Sequence, residues 1–370
     1  MSVAVAEETG ERALIARLVG DRPGAWDLAG EIPAAVLREL GGQGLLCAQV
    51  PGRYAGRGYT SERNGELTAY VGSLCSSLRS VMTSQGMAAW TVQRFADAGQ
   101  REVYLPLLSG GRLAAVAFSE PEAGSDLSAI GTRIVADGDG VVVDGAKVWV
   151  TGACYADLVL VVGRYAGGAG VVVVPADAPG VRIEKVADPL GCRAAGHAAV
   201  RLDSVRLPSS ALLGGGGQPL SLLVTTALAY GRMSVAWGCV GILRACLDAV
   251  AGHARTRYQS GRPLAEHQLV VRHLAELLAA EQSATRVSEH ASRCWDAGTP
   301  DQVTATVLAK YVSAGHAVRG AASAVQVLAS AGATDGHVVA RAHRDAKLME
   351  IIEGSSEICQ LILGQHALSR

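Results

Sequence analysis

The sequence predicts an α+β protein of three consecutive domains: an N-terminal α-helical domain over residues 1–112, a middle β-domain over 113–215 and a C-terminal four-helix bundle over 216–370. Changes of texture along the chain predict this order. From Gly10 to about Gly111 the apolar spacing is helical, as in Leu14, Ile15, Leu18 and again in Ala35, Val36, Leu40. Short β-branched runs replace it until about Leu213. After the joint Gly214 to Gly217 the chain returns to long Ala- and Leu-rich stretches. A chain of 370 residues that is 49% apolar can bury cores for all three.

In the first domain, Gly-rich connections near 41–44 and 56–58 separate the helices. The β runs are Val141 to Val143, Val148 to Thr151, Leu158 to Val162, Val171 to Val174 and Val200 to Leu202, divided by Asp-Gly, Gly-Gly and Pro-Gly turns. In the last domain, helices are predicted over about 222–257, 266–297, 301–331 and 338–370. Their short connections suit an antiparallel bundle, and the Ala and Gly content lets helices approach closely.

Charge and composition exclude several functions. With 33 basic against 34 acidic residues, no face neutralises a phosphate backbone, so no nucleic-acid partner is expected. Runs such as Val171 to Val174 and Leu158 to Val162 fall short of the roughly 20 residues that span a bilayer, so neither a transmembrane helix nor a membrane partner is expected. Glu7, Glu8 and Glu11 stand where a secretory signal would be basic and then apolar, which points to a cytoplasmic protein. Eight dispersed cysteines form no CxxC pair and no zinc-ligand spacing, so they read as reduced, mostly structural thiols without a metal. Only four lysines occur (Lys147, Lys185, Lys310, Lys347); nearly all other positive charge is arginine.

Chemistry is concentrated in a few segments. Phe118-Ser119-Glu-Pro-Glu-Ala-Gly124-Ser125-Asp forms a tight loop after an apolar strand, where Gly124 allows close approach and the amides near Ser125 can hold a pyrophosphate. Alone, such a turn reads as a surface loop, and Trp149 in Lys147-Val-Trp-Val-Thr151 reads as a core aromatic. An isolated glutamate such as Glu353 reads as solvated. Arg232 in Tyr-Gly-Arg-Met reads equally as a helix-surface residue.

Taken in order, however, these segments closely resemble the acyl-CoA dehydrogenase family over nearly the whole chain. The loop 118–126 is similar to the family's Thr-Glu-Pro-x-Ala-Gly-Ser-Asp signature, with Ser119 for threonine. Lys147 to Thr151 looks like Lys-x-Trp-Ile-Thr; Arg257-Tyr-Gln-Ser-Gly261 with Gln268 looks like Arg-x-x-Phe-Gly and its following glutamine. Gln326 to Gly332 is similar to Gln-Ile-Leu-Gly-Gly-x-Gly, and Ile352-Glu353-Gly-Ser355-Ser-Glu357 to the Tyr-Glu-Gly-Thr element.

The resemblance implies a middle domain of barrel or sandwich type and an FAD cofactor. Phe118, Ser119, Gly124, Ser125, Trp149, Thr151, Ser355 and Glu357 would bind it, with Arg257, Gln268, Gln326 and Gly332 reaching across a homodimer or homotetramer interface. Arginine's fork suits the pyrophosphate. It implies Glu353 as the base that takes the α-proton of an acyl thioester, Arg232 beside it, and flavin N5 as hydride acceptor. An electron-transferring flavoprotein is the implied electron acceptor. Ser260 replaces an aromatic residue, Ile352 a tyrosine and Ala329 a glycine, so acyl chain and carrier are expected to depart from the commonest pattern. These traits are similar to the branch that oxidises glyceryl groups on acyl carrier protein toward hydroxymalonyl or methoxymalonyl polyketide extender units. A short- or branched-chain acyl-CoA dehydrogenase, or a flavin oxidase or monooxygenase of the same fold, are the alternatives.

Overall fold

The computed structural model describes residues 3–369, with side chains described from Gly10 onward. Six helices come first: α1 (Val3–Val19), α2 (Pro23–Ala29), α3 (Ala34–Gly42), α4 (Ser61–Leu74), α5 (Ser76–Phe95) and α6 (Ala98–Ser109). A capping box starts α6: Asp97 accepts from the Gln100 amide while the Gln100 side chain accepts from the Asp97 amide. Gln100 also donates to the carbonyls of Ser210 and Leu212, which pins this helix to the β-region.

One curled seven-stranded sheet follows: β1 (Ala114–Ala117), β2 (Arg133–Asp137), β3 (Gly140–Val150), β4 (Leu158–Tyr165), β5 (Gly168–Pro175), β6 (Val181–Lys185) and β7 (Ala198–Pro208). Its order is β1-β4-β2-β3-β7-β6, with β5 antiparallel to β4 and β1 parallel to it. The two predicted runs at 141–143 and 148–151 are one strand, β3, whose register against β7 slips twice, between Val143 and Gly145 and between Lys147 and Val150. Such bulges re-aim side chains, and the second one delivers Trp149. Strands β2 and β6 lack an apolar run, because most of their residues are exposed or half-buried, so the sequence pattern passes over them.

The last region holds α7 (Leu220–Thr256), a hairpin of β8 (Tyr258–Gln259) and β9 (Arg262–Pro263), then α8 (Gln268–Asp296), α9 (Gln302–Leu328), α10 (Val338–Ile351) and α11 (Ser356–Leu368). The helix expected over 338–370 is therefore two. It breaks at Ile352–Ser355, where Glu353 (φ 58°) and Gly354 (φ 97°) turn left-handed and Ser355 caps the next helix. Helix α7 is long and apolar enough to cross a bilayer, against the expectation of short runs only. Yet 61% of its most apolar window is buried inside the protein, where it packs on α4, α5, α8, α9 and α10.

Candidate active site

The break between α10 and α11 builds the centre of the site. Helix propagation is lost at Ile352 (ψ 158°), and the next two residues turn the backbone so that Glu353 points back toward α7. Two buried cations hold the exposed carbonyls of this turn. Arg232 on α7 donates from Nε to the Glu353 carbonyl at 3.0 Å. Lys310 on α9, with 0% exposure, donates from Nζ to the carbonyls of Glu350 at 3.2 Å and Gly354 at 2.6 Å. A non-glycine residue in the left-handed region carries strain of the kind that persists only where surroundings over-determine it. These two side chains supply that constraint.

The Glu353 carboxylate lies in a slot that α7 leaves open. A Cβ on Gly231 would meet Oε2 at 2.3 Å and Met87 Cε at 2.6 Å. Oε2 is closed off from solvent and has no hydrogen-bond partner. Burial pushes the carboxyl up to about 7; the opposing charges of Arg232, Lys310 and Arg79 reduce the rise without cancelling it. A carboxylate poised near neutrality, with one oxygen unengaged, can accept a proton.

A second group of residues meets across α5. Thr151, just past β3, places Oγ1 3.2 Å from His197 Nδ1, and its carbonyl accepts from Ser84 Oγ at 2.9 Å. Trp149 adopts φ 54°, remains 54% exposed, and sets its ring edge-on to His197 at 5.7 Å. His197 is buried, its Nε2 has no partner, and burial followed by the charge of Arg79 lowers it to about 4, so the imidazole is neutral. Ser84 and Met87 lie within one turn of α5, and so bring the Trp149–Thr151 segment and the Glu353 slot to the same helix.

The loop at 118–126 is tied to the same strand. Lys147, fully buried, donates from Nζ to the Phe118 carbonyl at 3.0 Å and to Glu120 Oε1 at 2.7 Å. The Val148 amide donates to the Ser119 carbonyl at 2.9 Å. Glu120 further accepts from the amides of Gly131 and Thr132. Burial alone would raise this carboxyl, but Lys147 and these donors hold it below its usual range, while burial brings Lys147 down to about 8. Beyond Ala123 the loop is open: Gly124 and Ser125 are exposed, and a Cβ on Gly124 would meet nothing within 4 Å.

The remaining sequence-predicted residues lie on other elements, except Ser355 and Glu357, which follow the Glu353 turn. Arg257 ends α7, and 26 residues of helix separate it from Gly231, about 39 Å at 1.5 Å per residue. It opens the β8–β9 hairpin, whose exposed tip is Ser260 (φ 52°) and Gly261 (φ 77°). Gln268 begins α8 and Gln326 lies near the end of α9, both exposed. Gly332 is buried instead, where a Cβ would strike Leu328 and Val339 at 2.8 and 2.9 Å. Ala329 takes φ 51° at the end of α9. Ser355 caps α11, and its hydroxyl also keeps exposed Glu357 below its usual range. Sequence reasoning missed Gly231, Lys310, His197, Ser84 and Arg79. A signal existed for the lysines alone: in an arginine-rich chain, two of only four are fully buried, Lys147 and Lys310.

Comparison with known proteins places this arrangement. Models of the acyl-CoA dehydrogenase N-terminal, middle and C-terminal domains match residues 9–112, 115–205 and 222–368. The structure of FkbI, for biosynthesis of the methoxymalonyl extender unit of the FK520 polyketide, is 61% identical with a TM-score of 0.93 over 97% of this chain and 99% of that one. A glutaryl-CoA dehydrogenase from Mycobacterium smegmatis, in complex with FADH2, is 25% identical with a TM-score of 0.91 over 98% of this chain and 95% of that one. The probable acyl-CoA dehydrogenase YngJ of Bacillus subtilis is 32% identical over 350 residues, 92% of each chain.

Proposed function

Because the chain belongs to the acyl-CoA dehydrogenase family, an FAD-dependent family of oxidoreductases, we propose that it oxidises a short polar acyl group on acyl carrier protein, with Glu353 as the base. The observation that carries this reading is the buried carboxylate of Glu353, raised to about 7 with Oε2 unengaged, on the helix face it shares with the Trp149–Thr151 segment.

The residues present fit FAD. A half-exposed tryptophan, a buried histidine nitrogen without a partner, and an uncrowded Gly124–Ser125 loop on the same strand system are surfaces that lack a neighbour in the isolated chain. Trp149, Thr151, Phe118, Ser119, Gly124 and Ser125 would hold the group, and FAD, when bound, supplies the hydride acceptor. Everything else falls to the chain. Glu353 takes a proton from the carbon next to the thioester; its buried site keeps the carboxylate basic enough at neutral pH. Arg232 and Lys310 hold the backbone at Glu353 and Gly354, fixing where that oxygen lies. The amide of Glu353 would steady the charge that develops on the thioester oxygen. Arg257, Gln268 and Gln326 are exposed, and Arg257 lies at the far end of α7 from Gly231, which supports their acting on the site of a second subunit.

Similarity to FkbI, at 61% identity, supports a carrier-bound substrate on the way to an oxygenated malonyl extender unit. A cytoplasmic enzyme handing electrons to an electron-transferring flavoprotein is the setting that goes with it. The test is anaerobic: glyceryl thioester on acyl carrier protein and butyryl-CoA are added separately to FAD-loaded wild type and to Glu353→Gln. Bleaching by the carrier-bound thioester, lost in the variant, supports the reading; equal bleaching in the variant removes Glu353 as base, and bleaching by butyryl-CoA alone makes this a catabolic acyl-CoA dehydrogenase.

A further inference from the structure

His197 touches both Trp149 and Thr151, and the backbone around it leaves the ring little freedom. After the second register slip Val150 pairs with Ala198, so Thr151, just beyond β3, meets His197, just before β7. The turn that follows is tied to the same segment: the Gly152 amide donates to the Ala195 carbonyl at 3.0 Å, and the Cys154 amide to the Gly196 carbonyl at 3.2 Å. On the other side the Val186 amide donates to the His197 carbonyl at 2.8 Å. Gly196 (φ 65°) passes so close to Tyr155 that a Cβ there would fall 2.6 Å from its ring. The imidazole thus stands with Thr151 Oγ1 3.2 Å from Nδ1 and the Trp149 ring edge-on at 5.7 Å.

A neutral imidazole carries one N–H and one bare nitrogen, and its surroundings decide which is which. The ring of His197 is neutral at pH 7. Nδ1 has Thr151 beside it, whereas Nε2 is closed off from solvent and has no partner in the chain. A buried N–H without an acceptor is rarer in native proteins than a buried acceptor without a donor. A proton on Nε2 would create such an orphan; a proton on Nδ1 is used, because Nδ1 then donates to Thr151 Oγ1. With that lone pair engaged, the Thr151 hydroxyl keeps its own proton for a further acceptor. None stands beside it among the described residues.

We propose that His197 is a positioning residue for the cofactor: by donating to Thr151 it fixes that hydroxyl as a donor toward FAD and so favours the oxidised flavin over the reduced one. The oxidised ring offers acceptors at N5 and O4, and reduction places a hydrogen on N5, turning an acceptor into a donor. A hydroxyl held as a donor matches the first state. Without the lock it rotates and serves either. This rests on the reading that the Trp149–Thr151 segment holds FAD.

The test is the reduction potential of the bound FAD, measured by anaerobic titration against a redox dye with no acyl substrate present. In His197→Leu the ratio of affinities for reduced and oxidised FAD should rise about tenfold, which is about 30 mV upward for a two-electron couple. His197→Asn, whose side-chain amide can donate from the place of Nδ1, should stay within about twofold of wild type, and in a Thr151→Val background His197→Leu should move the potential no further. A rise that persists with Thr151→Val, or one in His197→Asn as large as in His197→Leu, overturns the inference. An unchanged potential in Thr151→Val overturns the placement of Thr151 at the cofactor and this inference with it, whereas a shift there with no rise in His197→Leu overturns this inference alone. Should His197→Leu fail to bind FAD, NMR of the imidazole nitrogens in the FAD-loaded wild type decides: the proton is expected on Nδ1, and a proton on Nε2 is contrary.

Discussion

Gly231 and Glu353 define each other: a Cβ on the first would stand 2.3 Å from Oε2 of the second, so the position of the carboxylate depends on one absent methyl group. Gly231→Ala is expected to displace the carboxylate, slowing flavin reduction by an acyl thioester about a hundredfold. Overpacking should also destabilise the fold by about 1–3 kcal/mol. Stopped-flow reduction and urea unfolding measure the two effects, and an unchanged rate would contradict the assigned position of the base.

With Glu353 as the proposed base, activity and stability should respond to pH in opposite directions. With the carboxyl at about 7, the base form fills in as pH rises through neutrality, so the reduction rate should climb with an apparent pKa near that value. The folded state binds the proton more tightly than the unfolded chain does. Stability from this group is therefore complete below the ordinary carboxylate range and lost as pH rises toward 7. Glu353→Gln should consequently be more stable than wild type at pH 8 by on the order of 2 kcal/mol, with the difference vanishing by pH 4.5. Urea unfolding at the two pH values checks the sign.

Lys310 serves the Glu350 and Gly354 carbonyls from a fully buried position. Lys310→Met leaves both acceptors without that donor and should cost on the order of 3 kcal/mol. Because the turn that carries Glu353 loosens, flavin reduction should slow more than acyl thioester binding weakens. Comparing the reduction rate with Kd distinguishes this from a simple loss of folded protein.

His197 is held down to about 4, first by burial and then by Arg79. Its folded-state value lies below the unfolded one, so its stabilising contribution is present above about pH 6.5 and is lost as pH falls toward 4. Between pH 7 and pH 5 wild type should lose about 2 kcal/mol that His197→Gln does not. Urea unfolding of both proteins at each pH measures the difference.

Arg257 and Gly231 are separated by about 39 Å of helix, so a site that needs Arg257 and Glu353 draws them from two chains. Arg257→Ala and Glu353→Gln should each be nearly inactive. Refolded together in equal amounts they should regain about a quarter of wild-type activity, since half of the dimers are mixed and one of the two sites in each is intact. No recovery would place both residues in the same subunit's site.

Periodicity made the three-part order and most helices legible in the sequence, because amphipathic patterning reports which face is buried. It joined α10 and α11 into one helix, because Ile352, Glu353 and Ser355 are compatible with helix and only the left-handed turn at Glu353–Gly354 breaks it. It split β3 in two, because Asp144 and Gly145 look like a turn when they form a bulge. Motif resemblance singled out Glu353, Trp149 and Thr151, yet it was silent on Gly231, His197 and Lys310. Those residues act through contacts between elements distant in sequence, and no local pattern encodes such a meeting.

The buried pair Lys147–Glu120 has one more effect. With the Val148–Ser119 hydrogen bond, it locks the stem of the Phe118–Asp126 loop to the strand bearing Trp149 before any ligand arrives. A cofactor held on this side, as proposed, would therefore cost little chain entropy on binding. The Arg257 hairpin, exposed at the far end of α7, lies outside this preset stem.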